Sequence, residues 1–278
     1  MPRSSLRNPW VAVLPAVLLT AAFFLLPLAN MVRLSLITPD GMGLGNYLAF
    51  FEQAHQADAL WRSLKLAVMA TVVSSLLAWP IAFLVAFCVS ERWRYVLLLI
   101  LLAPFWTSFT IRAFSWQLVL SDNGVLAWIL SGIWGAPVSL GILYTMAASV
   151  FGLALFGTML TTLTLFGALV AIDRRLIEAS VSLGAGPQAV FRDVIFPLAR
   201  QGWLVGATLT FIICVGDYAV PTLLGGGLKP VLAQIMLSTV KGTYDLPSAA
   251  TMAVVLCGVV LITLLPLILL GRLRRGLA

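Results

Sequence analysis

From Asn123 to Ile172 the chain carries no Asp, Glu, Lys, Arg or His. A run that long cannot end up on a water-facing surface. It has to lie in a bilayer, where about 20 apolar residues make one helical crossing and every backbone amide must bond within its own segment. The rest of the chain is similar: 61% of its residues are apolar and 10% are charged, against roughly 45–50% and about 25% in ordinary soluble domains. A soluble enzyme, a disordered tail and a disulfide scaffold are excluded, leaving a polytopic membrane protein.

Uncharged stretches give the expected crossings. The first runs from Asn8 to Val32 and is read as a retained span rather than a signal peptide, being too long for an h-region. The second is Leu66 to Ser90. The third is Tyr95 to Ile111, continued past Arg112 to Ser121. The fourth lies between about Ile142 and Ala171, after an irregular or half-inserted segment marked by Gly132, Gly135, Pro137 and Gly141. Gln201 to Pro221 is the fifth and Leu246 to Gly271 the sixth. An all-α membrane fold with six transmembrane helices follows. Eleven basic residues then fall on one side: Arg3, Arg7, Arg92, Arg94, Arg174, Arg175, Arg192, Arg200, Arg272, Arg274 and Arg275. Five fall on the other: Arg33, Arg62, Lys65, Lys229 and Lys241. The excess predicts that both termini are cytoplasmic (N-in/C-in). A further crossing within Asn123–Ser139 would strand the C-terminal arginines outside. Trp10, Trp61, Trp79, Trp93 and Trp203 fall near span ends, as interfacial anchors or as simple packing.

Several chemistries drop out. Cys88, Cys214 and Cys257 sit in apolar runs and the one histidine, His55, in a polar loop, so no metal site is expected. Lys65, Lys229 and Lys241 lack the glycine-rich context of a phosphate-binding loop. The net charge of +7 reads as topology and contact with anionic lipid, not nucleic acid.

The segment after the fourth span, residues 173–197, is the most informative. Asp173 is placed to cap a short helix starting at Arg174. Gly184 suits the left-handed residue that ends it. Pro187 suits the first turn of a second helix, and Pro197 is expected to stop that helix. Ile177, Val181, Val190 and Val194 are too apolar for a free loop and call for burial, against span ends or in another protein's groove.

This elbow resembles the cytoplasmic EAA loop of the permease subunits of ABC importers: Glu-Ala-Ala, three residues, Gly, nine residues, then Ile-x-Leu-Pro. Glu178, Ala179, Gly184 and Pro197 match at that spacing, while Ser180, Val194 and Phe196 are mild departures. Two further segments, Pro104–Arg112 with Ala113–Trp116 and Asp122–Gly124, and Gly216–Gly227, look like spermidine/putrescine-type permeases. The resemblance covers roughly residues 60 to 270. It implies a type I importer permease domain over 61–278, with residues 1–60 supplying an N-terminal tail, first helix and periplasmic loop. It also implies a bacterial inner-membrane location and an elbow docked on a separate ATPase subunit, with Glu178 in polar contact, Ala179 allowing close approach and Gly184 forming the turn. The expected partners are two ATPase subunits, a second permease subunit, usually in a heterodimer, and a periplasmic solute-binding protein. This chain is then no enzyme and holds no cofactor; ATP and Mg belong to the partner ATPase. Polyamine or a related small organic cation is the implied substrate.

Asp217 and Arg112 stand out as charges within predicted spans. A carboxylate at bilayer depth costs about 2.5–3.5 kcal/mol or more unless it pairs or faces a cavity. Either the two pair structurally or Asp217 contacts a cationic substrate, with Trp106, Trp116 and Tyr218 offering ring faces. Other readings stay open: an ion-coupled secondary transporter, for which Asp217 is the one clear coupling carboxylate and no repeat is evident; a permease for amino acids or opine-like solutes; or a membrane enzyme, for which no nucleophile–base pair is seen.

Overall fold

The computed structural model describes residues 9–273 except Asp40, Pro137, Val138 and Leu228, with side chains from Val13 to Leu265. The tail arginines Arg3, Arg7, Arg274 and Arg275, and the side chains of Trp10 and Arg272, lie outside the described residues. The fold is almost wholly helical and divides into two compact units, Met1–Ala57 with Met236–Gly258, and Asp58–Ile235 with Val259–Ala278.

In the first unit, helix α1 (Pro9–Ser35) leads into a two-residue hairpin, β1 (Ile37–Thr38) and β2 (Gly41–Met42), with Ile37 opposite Met42. Helix α2 (Gly45–Glu52) follows. Ser35 ties this corner together. Its carbonyl accepts from Asn46 Nδ2 at 3.1 Å and from Thr251 Oγ1 at 3.3 Å, and its hydroxyl lies 2.7 Å from Tyr47 Oη. Along its apolar length α1 is bare, with Phe23 and Phe24 exposed.

Helix α3 (Ala54–Phe83) continues through a π turn to Cys88, and α4 (Glu91–Leu102) closes in a 3-10 turn, Ala103–Trp106. The expected continuous third span from Tyr95 to Ser121 is not formed. The chain breaks at Thr107, which is extended, and Ser108, which is not helical, before α5 (Phe109–Leu120) and α6 (Val125–Trp134). The bend between Glu91–Trp106 and Phe109–Trp134 is 96°. The 3-10 turn ends at Trp106, and its own carbonyls need donors from beyond the turn. Thr107 Oγ1 donates to Pro104 O at 2.8 Å and Arg112 Nη2 to the same oxygen at 2.6 Å. Gly135, at φ 68°, ends α6.

Helix α7 (Met146–Val170) is capped by Thr145, whose hydroxyl accepts from Ala148 N. The elbow follows as α8 (Arg174–Ser182) and α9 (Pro187–Ala189), which passes through a π turn, Val190–Ile195, into α10 (Phe196–Gly216). Then come α11 (Ala219–Gly225), α12 (Leu232–Ser238) and α13 (Leu246–Leu273). The fifth span therefore ends at Gly216, and Pro221 belongs to a separate short helix. Among the described residues, five helices are long and apolar enough to cross a membrane, or six if the bent pair counts as one crossing.

The core of the second unit is the α7–α10 pair. Gly202 and Gly206, one turn apart, let the backbones approach: a Cβ at Gly202 would lie 2.7 Å from Thr164 O, and one at Gly206 2.7 Å from Thr161 Cα. Small residues at this spacing serve helix contact in a bilayer, where tails are as apolar as leucine and packing rather than water exclusion drives association. Thr161 and Thr210 pair their hydroxyls across the same seam at 3.1 Å.

Candidate functional site

The elbow is built by its own termini. Asp173 Oδ1 accepts from Arg175 N at 2.9 Å, filling one of the orphan donors that open α8. At the other end Gly184 takes φ +86°, its N–H donates to Val181 O, and Ala185 N donates to Ser180 O. This 6→1 and 5→2 pair is a Schellman ending, and the left-handed residue it needs is most easily glycine. Pro187 then occupies the first turn of α9. Pro197 does not stop the second helix, contrary to expectation. The π turn before it widens the coil, with Phe196 N bonded back to Phe191 O, so the proline ring fits without ending the chain's run into the span.

One side of the elbow packs on its own unit. Val190 and Ile195 are buried with Leu165, Leu169, Ile172 and Ala199, and Ile177 leans on them. Val194 is half-buried. Trp79 of α3 meets Phe191 edge-on at 5.6 Å and stacks on Phe196 at 5.5 Å. The other side is open. Glu178 and Ala179 are exposed, and so are Leu176, Val181 and Leu183, the last at 89%. The four apolar residues singled out in the sequence thus divide, with Val181 alone facing outward. Glu178 makes no side-chain ion pair among the described residues; the pair recorded is Arg192–Asp193, at 2.8 Å and exposed.

Arg112 and Asp217 do not pair. Arg112 Nη2 donates to Pro104 O and, at 3.3 Å, to Thr107 O, while its guanidinium carbon stands 5.5 Å from the Phe156 ring centroid and 5.9 Å from that of Phe109. Asp217 instead accepts from Val220 N at 2.9 Å and Ala219 N at 3.3 Å, capping α11. Two short elements each needed a polar terminator, and each took the nearest side chain. Trp106 is exposed, Trp116 packs edge-on against Phe151 at 5.0 Å, and Tyr218 is exposed beside Asp217.

Two cavities were not visible in the sequence. One, of about 520 Å³, lies between α3, α10 and α13, with Thr71, Trp79, Trp203 and Phe211 among its walls. Thr71 Oγ1 and Trp203 Nε1 are buried without a protein partner among the described residues. The other, about 370 Å³, is bounded by Arg62, Lys229, the start of α7 and the end of α11. No spacing rule links Arg62 to Lys229, because the fold alone brings those elements together. No group of three or more potential metal ligands occurs among the described residues.

A helical unit with a sharply bent helix pair, Glu91–Trp106 and Phe109–Trp134, and an elbow between α7 and α10 has the fold of an ABC-importer permease. A crystal structure of a bacterial ABC transporter involved in import of the acidic polysaccharide alginate matches with a TM-score of 0.75 at 18% identity, over 91% of this chain and 92% of that one. Residues 9–278 match the model of the family "Binding-protein-dependent transport system inner membrane component". The chain belongs to that family and is a multi-pass protein of the inner membrane. Among curated relatives, the inner membrane ABC transporter permease protein YdcU of Escherichia coli K12 is 32% identical over 200 residues, 68% of this chain and 63% of that protein. The spermidine/putrescine transport system permease protein PotB of Haemophilus influenzae is 31% identical over 225 residues, 78% of this chain and 77% of that protein.

Proposed function

We propose that this chain is one permease subunit of an ATP-driven uptake system, importing polyamine or a related small organic cation. The observation that carries the reading is the elbow: a rigidly capped helix whose root is buried in its own unit while Leu176, Val181 and Leu183 stand bare around Glu178. Exposed apolar side chains grouped on one short helix and its C-cap need a covering partner, and in this family that partner is an ATPase subunit. Two such subunits, a second permease and a periplasmic binding protein complete the proposed assembly. The elbow and both termini then face the cytoplasm, and the bent pair makes the sixth crossing. ATP and Mg are held by the ATPase. Nucleotide-driven closure of the ATPase pair shifts the elbow, and the spans exchange between two arrangements biased by ATP and by loaded binding protein.

Polyamine as the cargo is supported by the kinship with PotB and by the segments Pro104–Arg112 and Gly216–Gly227. An ion-coupled mechanism is less well supported, since Asp217 is engaged in capping α11. The test is purification of the tagged chain from native membranes, identification of what accompanies it, and uptake of labelled solutes by the reconstituted complex. An ATPase, a second permease and a binding protein, with uptake of putrescine or spermidine, are expected. ATP-independent uptake by the chain alone would overturn the reading.

A further inference from the structure

The pocket bounded by Arg62 and Lys229 has the wrong sign for the proposed cargo. Arg62 Nε donates to Pro230 O at 3.0 Å, which leaves its two terminal amino groups without a protein partner among the described residues. Lys229 is exposed and makes no ion pair there. The first turn of α7 adds the positive end of a 25-residue helix. No carboxylate lines the pocket among the described residues. The acidic groups on the neighbouring elements are accounted for. Asp58, one turn before Arg62, is exposed and unpaired with it; Asp122 accepts from Ser139 Oγ and Gly141 N; Asp217 caps α11.

The walls are preformed. Tyr144 N donates to Leu224 O at 2.7 Å, and the Tyr144 side chain lies over Gly226, where a Cβ would come within 2.7 Å of the Tyr144 Cβ and 2.8 Å of its ring. The pocket is at the start of α7 and the elbow follows its end. Those ends are about 37 Å apart at 1.5 Å per residue, a bilayer's width. An anion entering the pocket therefore comes from the side opposite the ATPase.

We infer that this pocket receives a carboxylate side chain, Asp or Glu, from the surface of the periplasmic binding protein and so sets its docking register. The inference rests on the proposed function, which places a binding protein on that face. A cationic cargo is repelled by Arg62 and Lys229, whereas a protein carboxylate is attracted, and complementary charge chiefly governs encounter rate and register.

The test uses the reconstituted complex and the binding protein that purifies with it. Lys229→Glu leaves the Arg62–Pro230 bond intact, and Arg62→Glu with Lys229→Glu reverses the whole pocket. Both are read by the concentration of loaded binding protein that half-maximally stimulates ATP hydrolysis, beside Lys241→Glu, a residue outside the pocket lining, as a charge control. The single variant is expected to raise that concentration several-fold and the double variant about tenfold or more, with basal hydrolysis unchanged. An Asp or Glu→Lys change on the binding protein should restore it. A stimulated wild type with an unshifted double variant overturns this inference alone, as does a change in solute half-saturation with unaltered binding-protein dependence, which would mark a small-molecule anion site. A wild type that no binding protein stimulates overturns the proposed function, and this inference with it.

Discussion

Trp79 and Phe196 stack with ring centroids 5.5 Å apart and planes 24° from parallel. Trp79 belongs to a spanning helix, α3, and lines the larger cavity; Phe196 is the first residue of α10, directly after the π turn of the elbow. A displacement of the elbow is therefore delivered through packed rings to the wall of that cavity, since close-packed contacts transmit strain. Trp79→Ala removes this stack together with the edge contact to Phe191. Uptake is expected to fall about tenfold while ATPase subunits still co-purify, because an aromatic pair contributes about 0.5–1.5 kcal/mol beyond its buried area and the exposed face of α8, proposed to dock, is untouched. Trp79→Phe should recover most of the loss. Measured uptake against co-purified ATPase checks both.

Gly184 carries the turn of the elbow at φ +86°. A side chain there costs about 1–2 kcal/mol in the left-handed region. Gly184→Asp is expected to abolish uptake and ATPase co-purification while the protein still inserts. Glu178→Lys, on the exposed face of α8, should do the same without strain. Wild-type uptake by both variants would remove the docking role.

Gly206 has no room for a side chain against Thr161, whereas nothing lies within 4 Å of a Cβ built at Gly216. Gly206→Val is expected to destabilise the α7–α10 pair by about 1–3 kcal/mol, the usual cost of overpacking. Gly216→Ala should be close to neutral. Thermal unfolding in detergent compares them.

Arg112 bridges the break between α4 and α5 through Pro104 O and Thr107 O. Hydrogen bonds involving a charged group contribute about 1.5–3 kcal/mol. Arg112→Gln is expected to loosen the segment 103–109, read as faster labelling of a cysteine placed at Thr107. Arg112→Lys should give partial protection, since an ammonium reaches one carbonyl more readily than two.

Asp217 caps α11 through two backbone amides. Asn keeps an acceptor oxygen and serves as well at helix starts, while Ala forfeits about 1 kcal/mol. Asp217→Asn is expected to retain most uptake and Asp217→Ala to lose stability. A selective loss of cation uptake in the Asn variant would instead make Asp217 a substrate contact.

The sequence by itself determined the membrane class, because only apolar helices spare Asn123–Ile172 from water. It also determined the local form of the elbow, because Asp173 and Gly184 act on amides and carbonyls a few residues away. Tertiary structure decided the rest. The break between α4 and α5 falls at Thr107–Ser108, a position that residue counting merges into one helix, and Arg112 folds back across it onto Pro104 O. Pro197 was carried through the helix by a π turn set within the packed root of the elbow. Arg112 and Asp217 share a sign pattern that suggests a pair, yet each was claimed by a nearby helix end. The Arg62–Lys229 pocket joins residues far apart in the chain, and only packing brings them together. Hydropathy and caps act over one or two turns and can be read in order along a chain, whereas cavities and charge pairs depend on which helices meet.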